Sequence, residues 1–240
     1  MPALRIIGPG RAGLSLQRAL AEAGWSVLPP VGRGDNVERA ADAVDLLVIA
    51  TPDAAVAEVA AAVRPVDTTV VAHMAGSLGL EVLAPHSRRG SIHPLVALPN
   101  PEVGAARLRG AWFATEGDPL VSQAVRDLGG RAIEVADRAA YHAAACIASN
   151  HLVALLAQVE RVAATAGVPL EAYLDLVRAT VDNVERLGPA AALTGPAARG
   201  DWATIERHRD ALPDDERPAY DALMERAASL AGRKPPVPCS

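Results

Sequence analysis

Near the start of the chain an apolar run is followed by Gly8, Gly10 and Gly13 in the spacing G-x-G-x-x-G, and a stretch of helical apolar period opens directly behind them. No other feature limits the fold so strongly. Leu4 to Ile7 read as a short buried strand, and Leu14 to Ala23 as an amphipathic helix ended by Gly24. In a strand-turn-helix setting each glycine has its own task. The first permits the tight turn, the second lets the backbone approach a pyrophosphate, and the third lets helix and strand pack closely. The helix N-terminus then offers unpaired N–H groups, here at Arg11 and Ala12, to an anion. Pro9 removes one donor, which the turn tolerates if the phosphate-facing donors come later. The loop therefore reads as a dinucleotide cradle.

The pattern behind it repeats. "WSVLPP" reads as a second strand, "NVERAADAV" as a short helix, "DLLVIATPD" as a third strand, "AAVAEVAAAV" as a helix and "TTVVAHMAG" as a fourth strand. Strands continue through "GSIHPLVAL", "GAWFATEGD" and "RAIEVA", with a helix at Leu120 to Leu128. This alternation predicts an α/β fold, a doubly wound and mainly parallel sheet covered on both faces. After Asp137 the texture changes to "RAAYHAAACIASNHLVALLAQVERVAATAG", helical for almost its whole length, and no strand signal follows. The expected organisation is a nucleotide-binding domain over 1–136, an all-α domain over 137–232 and a loose Pro-rich tail over 233–240.

An NAD-selective sheet places Asp or Glu at the end of its second strand, about 20 residues past the glycines, to hold the ribose 2′-hydroxyl. Here that position reads "VLPPVGRGD": no acid closes the strand, and Arg33 stands just beyond it, with Asp35 the nearest carboxylate. A guanidinium suits a 2′-phosphate, so the cofactor expected is NADP. Ligands of such sheets lie beyond the carboxyl ends of the strands, which adds Thr51, Pro52, His73 and Gly76 to the cofactor side and His93 to the reacting side.

The helical part supplies further candidates. In an unbroken helix His142 and Ser149 share one face about 10 Å apart, with Asn150 beside it, while Tyr141 and His151 point elsewhere and read as packing or interface residues. Arg199, in a Gly/Pro-framed loop, could fork onto a carboxylate, and Asp201 is placed to cap the helix opening at Trp202. The chain has a single lysine, Lys234. A proton for a reduced carbonyl must then come from a histidine, His142 first, or from a hydroxyl of Tyr141 or Ser149.

The formal charge of -5 argues against a nucleic-acid partner, and the arginines are scattered. No stretch is continuously apolar over the roughly 18 residues a spanning helix needs, so no membrane partner and a cytoplasmic location are expected. Cys146 and Cys239 show no metal or disulfide spacing, and no metal site is expected.

"IIGPGRAG", "HMAGSLG", "SIHPL", "YHAAACIASNH" and "ALTGPAARGD", in that order, resemble the bacterial Rossmann-like oxidoreductases with a helical C-terminal domain of unknown function. That family is similar to the 6-phosphogluconate dehydrogenase-like superfamily, with ketopantoate reductase and pyrroline-5-carboxylate reductase. The resemblance implies NADP on the N-terminal domain, a small-molecule substrate closed between domains, and a homodimer formed through the helical part. It makes ketopantoate the first substrate to consider, and Asn150 the one residue carried over, since the superfamily's lysine has no counterpart in "YHAAACIASN". The expectation is an NADP-dependent reductase of a small 2-oxo acid, with His142, Ser149, Asn150, His93 and Arg199 at the substrate. A cyclic-imine reductase and a non-catalytic NADP-binding sensor or scaffold are the alternatives.

Overall fold

The computed structural model describes residues 1–234, so the expected tail lies almost wholly outside the described residues, Cys239 with it. Two compact units divide at Ser149 and Asn150. The first therefore runs past the boundary expected at 136 and takes in the start of the long helical segment.

In the first unit β1 (Ala3–Ile7), α1 (Arg11–Glu22), β2 (Ser26–Val27), β3 (Leu46–Ile49), α2 (Val56–Ala62), β4 (Val70–His73), β5 (Arg89–Pro94), α3 (Pro101–Leu108), β6 (Trp112–Gly117), α4 (Pro119–Asp127), β7 (Arg131–Ile133) and α5 (Arg138–Cys146) follow in order. The strands form one seven-stranded sheet, β2-β1-β3-β4-β5-β6-β7. Every pairing is parallel except β5 with β6. The doubly wound, mainly parallel sheet is as read from the sequence.

Both faces of the sheet are dry over β1, β3 and β4. One carries Leu4, Ile6, Val48, Ala72 and Ile92 against Leu16 and Leu20 of α1 and the Phe113 layer. The other carries Ile7, Leu47, Ile49 and Val71 against α2 and Leu83. Strands buried on both sides must be apolar at every position, which is why "LLVI" of β3 is fully buried. The helices start where the chain provides caps: Asn100, Asp118 and Asp137 accept from the backbone N–H of Val103, Leu120 and Ala140.

Two local expectations fail. "NVERAADAV" forms turns instead of a helix, with Ala43 at φ 58°. Tertiary hydrogen bonds hold those turns: Arg5 donates to the Ala40 carbonyl, Thr69 to those of Ala41 and Val44, and Arg64 to the Asp42 carboxylate. Carbonyls taken by such donors are lost to an i to i+4 ladder. The second difference is a π turn over Ile147–His151, which follows α5 and precedes α6 (Leu152–Thr165). A π turn adds a residue to the helical repeat, so the face shared by His142 and Ser149 in an unbroken α-helix is not kept.

The second unit comprises α6, α7 (Glu171–Leu187), α8 (Pro189–Ala192), α9 (Pro196–Arg199), α10 (Trp202–Ala211) and α11 (Arg217–Leu230). Its buried apolar residues are few and small: Ala163, Ala197, Leu212 and Ala228. The Glu216 carboxylate is buried too, ion-paired with Arg161, while its carbonyl accepts from Gln158. Asp201 caps α10 through the Thr204 N–H at 3.1 Å, as its position predicts. The segment Arg138–Thr165 is long and apolar enough to cross a membrane by length and composition alone, although Ser149, Asn150 and His151 interrupt its apolar run.

Candidate functional site

At the glycine loop the three glycines divide their tasks as their spacing requires. Gly8 stands at φ 92°, and a Cβ there would lie 2.8 Å from the Ala50 carbonyl oxygen, so neither the turn nor the space admits a side chain. A Cβ on Gly13 would lie 2.5 Å from the Gly8 carbonyl oxygen and 2.8 Å from Ile6 Cγ2, which is the close contact of α1 with β1. Around Gly10 there is nothing within 4 Å of the Cβ position. That open space lies at the N-cap of α1, where no side chain satisfies the first N–H groups, at Arg11 and Ala12. The residues present thus fit a pyrophosphate, with donors in place and room in front of them.

The loop after β2 adjoins this space. Val31 bridges to Ile7, and the Cβ position of Gly32 lies 3.8 Å from Pro9 Cγ. Asp35 turns its carboxylate back onto the Gly32 N–H at 2.7 Å, while Arg33 is exposed. A carboxylate engaged by its own loop and an exposed arginine next to Gly32 in the chain suit a 2′-phosphate better than a 2′-hydroxyl. Behind β3, Thr51 Oγ1 is buried without a hydrogen-bond partner, next to Gly8. Pro52 is exposed and leads into a short 3₁₀ turn, Asp53–Ala55, whose Asp53 accepts from Ser77 at 3.0 Å.

The second cluster forms on the side of the sheet that carries Ile49 and Val71, where it turns polar. Ile49 is in register with His73, His73 with Ser91, and Ser91 with Glu116. His93 lies two residues further along β5, on the same face. Over these residues α5 lays Arg138, Tyr141 and His142. Arg138 pairs with Glu116 at 2.8 Å, and the Tyr141 hydroxyl is 2.8 Å from His93 Nδ1. The His93 ring meets those of Tyr141 and His142 edge-on, at centroid distances of 5.5 and 5.9 Å. Gly76 makes the gathering possible, since a Cβ there would lie 2.6 Å from His142 Cδ2 and 2.9 Å from His93 Nε2.

Burial chiefly, then the neighbouring His142 and Arg138, push the His93 pKa down to about 4, so the ring is neutral near pH 7. Burial also raises the Tyr141 phenol above its ordinary value. His73, expected beside the cofactor, is instead fully buried, with Nε2 3.2 Å from the Gly79 carbonyl. It holds the loop after β4, and burial lowers its pKa as well. His73 Nδ1, Ser91 Oγ and Arg138 Nη1 are buried without partners, so the polar row below the imidazoles is incompletely satisfied.

The structure therefore brings together His93, His142 and Gly76 from the expected set, and adds Tyr141, Arg138 and Glu116. Tyr141 does not point elsewhere; it faces the sheet with its neighbour His142. Ser149 and Asn150 are exposed residues of the π turn, and Arg199 is exposed at the end of α9. Among the described residues none of these three makes a side-chain hydrogen bond.

Comparison with known proteins matches residues 28–99 to a Rossmann-like domain and residues 112–227 to a domain of unknown function, DUF2520. Comparison with curated proteins finds no match. Among solved structures, a presumed NADP oxidoreductase of Bacteroides fragilis is similar at 21% identity and TM-score 0.78, over 95% of this chain and 98% of that one. A reductive aminase of Aspergillus terreus in complex with NADPH and ethyl levulinate is similar at 17% identity and TM-score 0.69, over 98% and 96%. A pyrroline carboxylate reductase of Plasmodium falciparum with NADP bound is similar at 12% identity and TM-score 0.60, over 96% and 98%. These likenesses establish a shared fold along nearly the whole of each chain. In chain order, the protein joins a Rossmann-like domain to a DUF2520 domain.

Proposed function

We propose that this protein is an NADPH-dependent reductase of a small C=O or C=N compound. The carrying observation is that one unit holds both an open glycine cradle and two imidazoles gathered at Gly76, beyond the carboxyl ends of the same parallel strands. Gly10, with the Arg11 and Ala12 N–H groups, takes the pyrophosphate, and Arg33 takes the 2′-phosphate. The bound nicotinamide supplies a hydride. His142 and His93 face the substrate and supply the hydrogen-bonding and protonating side of the reaction.

For the substrate, a 2-oxo acid with ketopantoate first is the reading the sequence suggests. A specific observation favours an imine as the second reading. The structural relatives include a reductive aminase and a pyrroline carboxylate reductase. The test is loss of reduced-nicotinamide absorbance when protein and NADPH are mixed with 2-oxo acids and with cyclic imines. Consumption with one class identifies it, and H142A should then lower turnover while keeping NADPH affinity. Binding of NADPH with no consumption across both classes would leave a non-catalytic NADP-binding protein.

We further propose a homodimer formed through the second unit. Val153, Leu176, Val181 and Leu187 are 67, 64, 55 and 59% exposed, and the last two lie on one stripe of α7 with Val184. An apolar stripe over so small a buried core needs a cover. A second copy of the same chain supplies one of matching chemistry. Light scattering at twice the chain mass supports this; a monomer, or recovery with lipid vesicles, would exclude it.

A further inference from the structure

The two ring nitrogens of His93 have different surroundings. Nδ1 is 2.8 Å from the Tyr141 hydroxyl. Nε2 lies beside the Gly76 backbone and, among the described residues, has no hydrogen-bond partner. A neutral imidazole has one N–H and one bare nitrogen, and a phenol has one proton and an accepting oxygen. Two arrangements suit the 2.8 Å contact. If Nδ1–H donates to the phenol oxygen, the phenol proton is left without an acceptor among the described residues; if the phenol donates to Nδ1, the imidazole proton sits on Nε2, which has none among them either. The second arrangement is favoured, because a phenol is a far stronger acid than a neutral imidazole N–H and a bare imidazole nitrogen a far better acceptor than a phenol oxygen.

We infer that Tyr141 is a positioning residue, whose O–H donates to His93 Nδ1 and thereby fixes His93 as the neutral Nε2–H tautomer facing the Gly76 backbone and His142. Arg138, His142 and His73 stand near the ring and disfavour a second proton on it, with Asp53 and Glu116 opposing them. The His93 ring is thus a fixed hydrogen-bond donor, not an imidazolium acid. Resting on the reductase reading, the consequence is a relay. As the C=O electron pair moves onto oxygen, the Nε2 proton passes to that oxygen and the Tyr141 proton passes to Nδ1. The phenolate then takes the Nδ1 proton back as Nε2 takes one proton from water, which leaves hydroxide to the solvent and restores both the phenol and the Nε2–H tautomer.

The test is long-range ¹H–¹⁵N spectroscopy of the full-length, ¹⁵N-labelled protein between pH 5.5 and 8, with His93 assigned through H93Q. The expected result is a neutral Nε2–H pattern for His93 across the range, and in Y141F a shift to mixed tautomers. An Nδ1–H pattern in the wild type, or a His93 pattern unchanged by Y141F, overturns the inference. Where turnover is measured, Y141F should lower kcat about 100-fold with little change in KM. An intact Nε2–H pattern together with no NADPH consumption would remove the reductase reading and leave the tautomer lock standing.

Discussion

The two units bury very different things. The first closes apolar layers on both faces of its sheet, with Leu4, Ile6, Leu46, Leu47, Ile49 and Phe113 fully buried or nearly so. The second, which is built of helices, buries three alanines and one leucine among its described apolar residues and leaves many larger apolar side chains at the surface. A parallel sheet solves its own burial problem because crossover helices must return over both faces. A set of amphipathic helices has no such closure, and its stripe stays open until something of the same kind meets it. The glycine loop and the imidazole cluster both sit in the unit that closes its own apolar core, whereas the second unit leaves much of its apolar surface exposed.

Four perturbations sharpen that contrast, from the largest expected effect to the smallest. Placing charges on the stripe of α7 in the double variant V181E/L187E should weaken self-association by more than about 4 kcal/mol, since two carboxylates would be desolvated. Sedimentation should then show monomer, with the melting of the first unit little changed. The reverse dependence holds for G13A. Its new methyl meets backbone that cannot yield, so the first unit should lose about 3 kcal/mol in denaturant titration.

Acid should act on the first unit through His93. Its folded pKa of about 4 lies below the unfolded value of about 6.5, so the neutral ring stabilises the fold above pH 6.5. That contribution is lost as pH falls from about 6.5 towards 4. With allowance for partial exposure it amounts to about 2 kcal/mol, and H93Q should flatten this limb of the stability profile. Last, R33A should weaken NADPH binding about tenfold and leave NADH binding unchanged. Equal losses for both nucleotides would remove Arg33 from the 2′-phosphate site.

The sequence made the first unit legible where chemistry is local. A glycine loop between strand and helix has few other uses, and Asp201 three residues before Thr204 is a cap by spacing alone. What depends on distant partners stayed hidden. Residues 36–44 have a helical pattern, yet Arg5, Arg64 and Thr69 bind their carbonyls and carboxylates in another arrangement. The π turn at Ile147–His151 has no residue signature, and it moves Ser149 off the face it would share with His142. The inward orientation of Tyr141 beside His142 is not evident from the helical period, in which adjacent residues are rotated by about 100°. A helix lying across a sheet presents a face that wide, so neighbours can both point inward. The signal was the pairing of "YH" on α5 with His93 at a strand end, which only the fold can join.

Gly10 offers the most direct test of the cradle, because its φ of -79° and empty surroundings let alanine replace it without strain in the fold. Calorimetric titration of NADPH into the wild-type protein and into G10A should show binding in the first and a loss of about 100-fold in the second, at unchanged melting temperature. Equal binding by the two, or none by the wild type, would contradict the assignment of this loop as the nucleotide site.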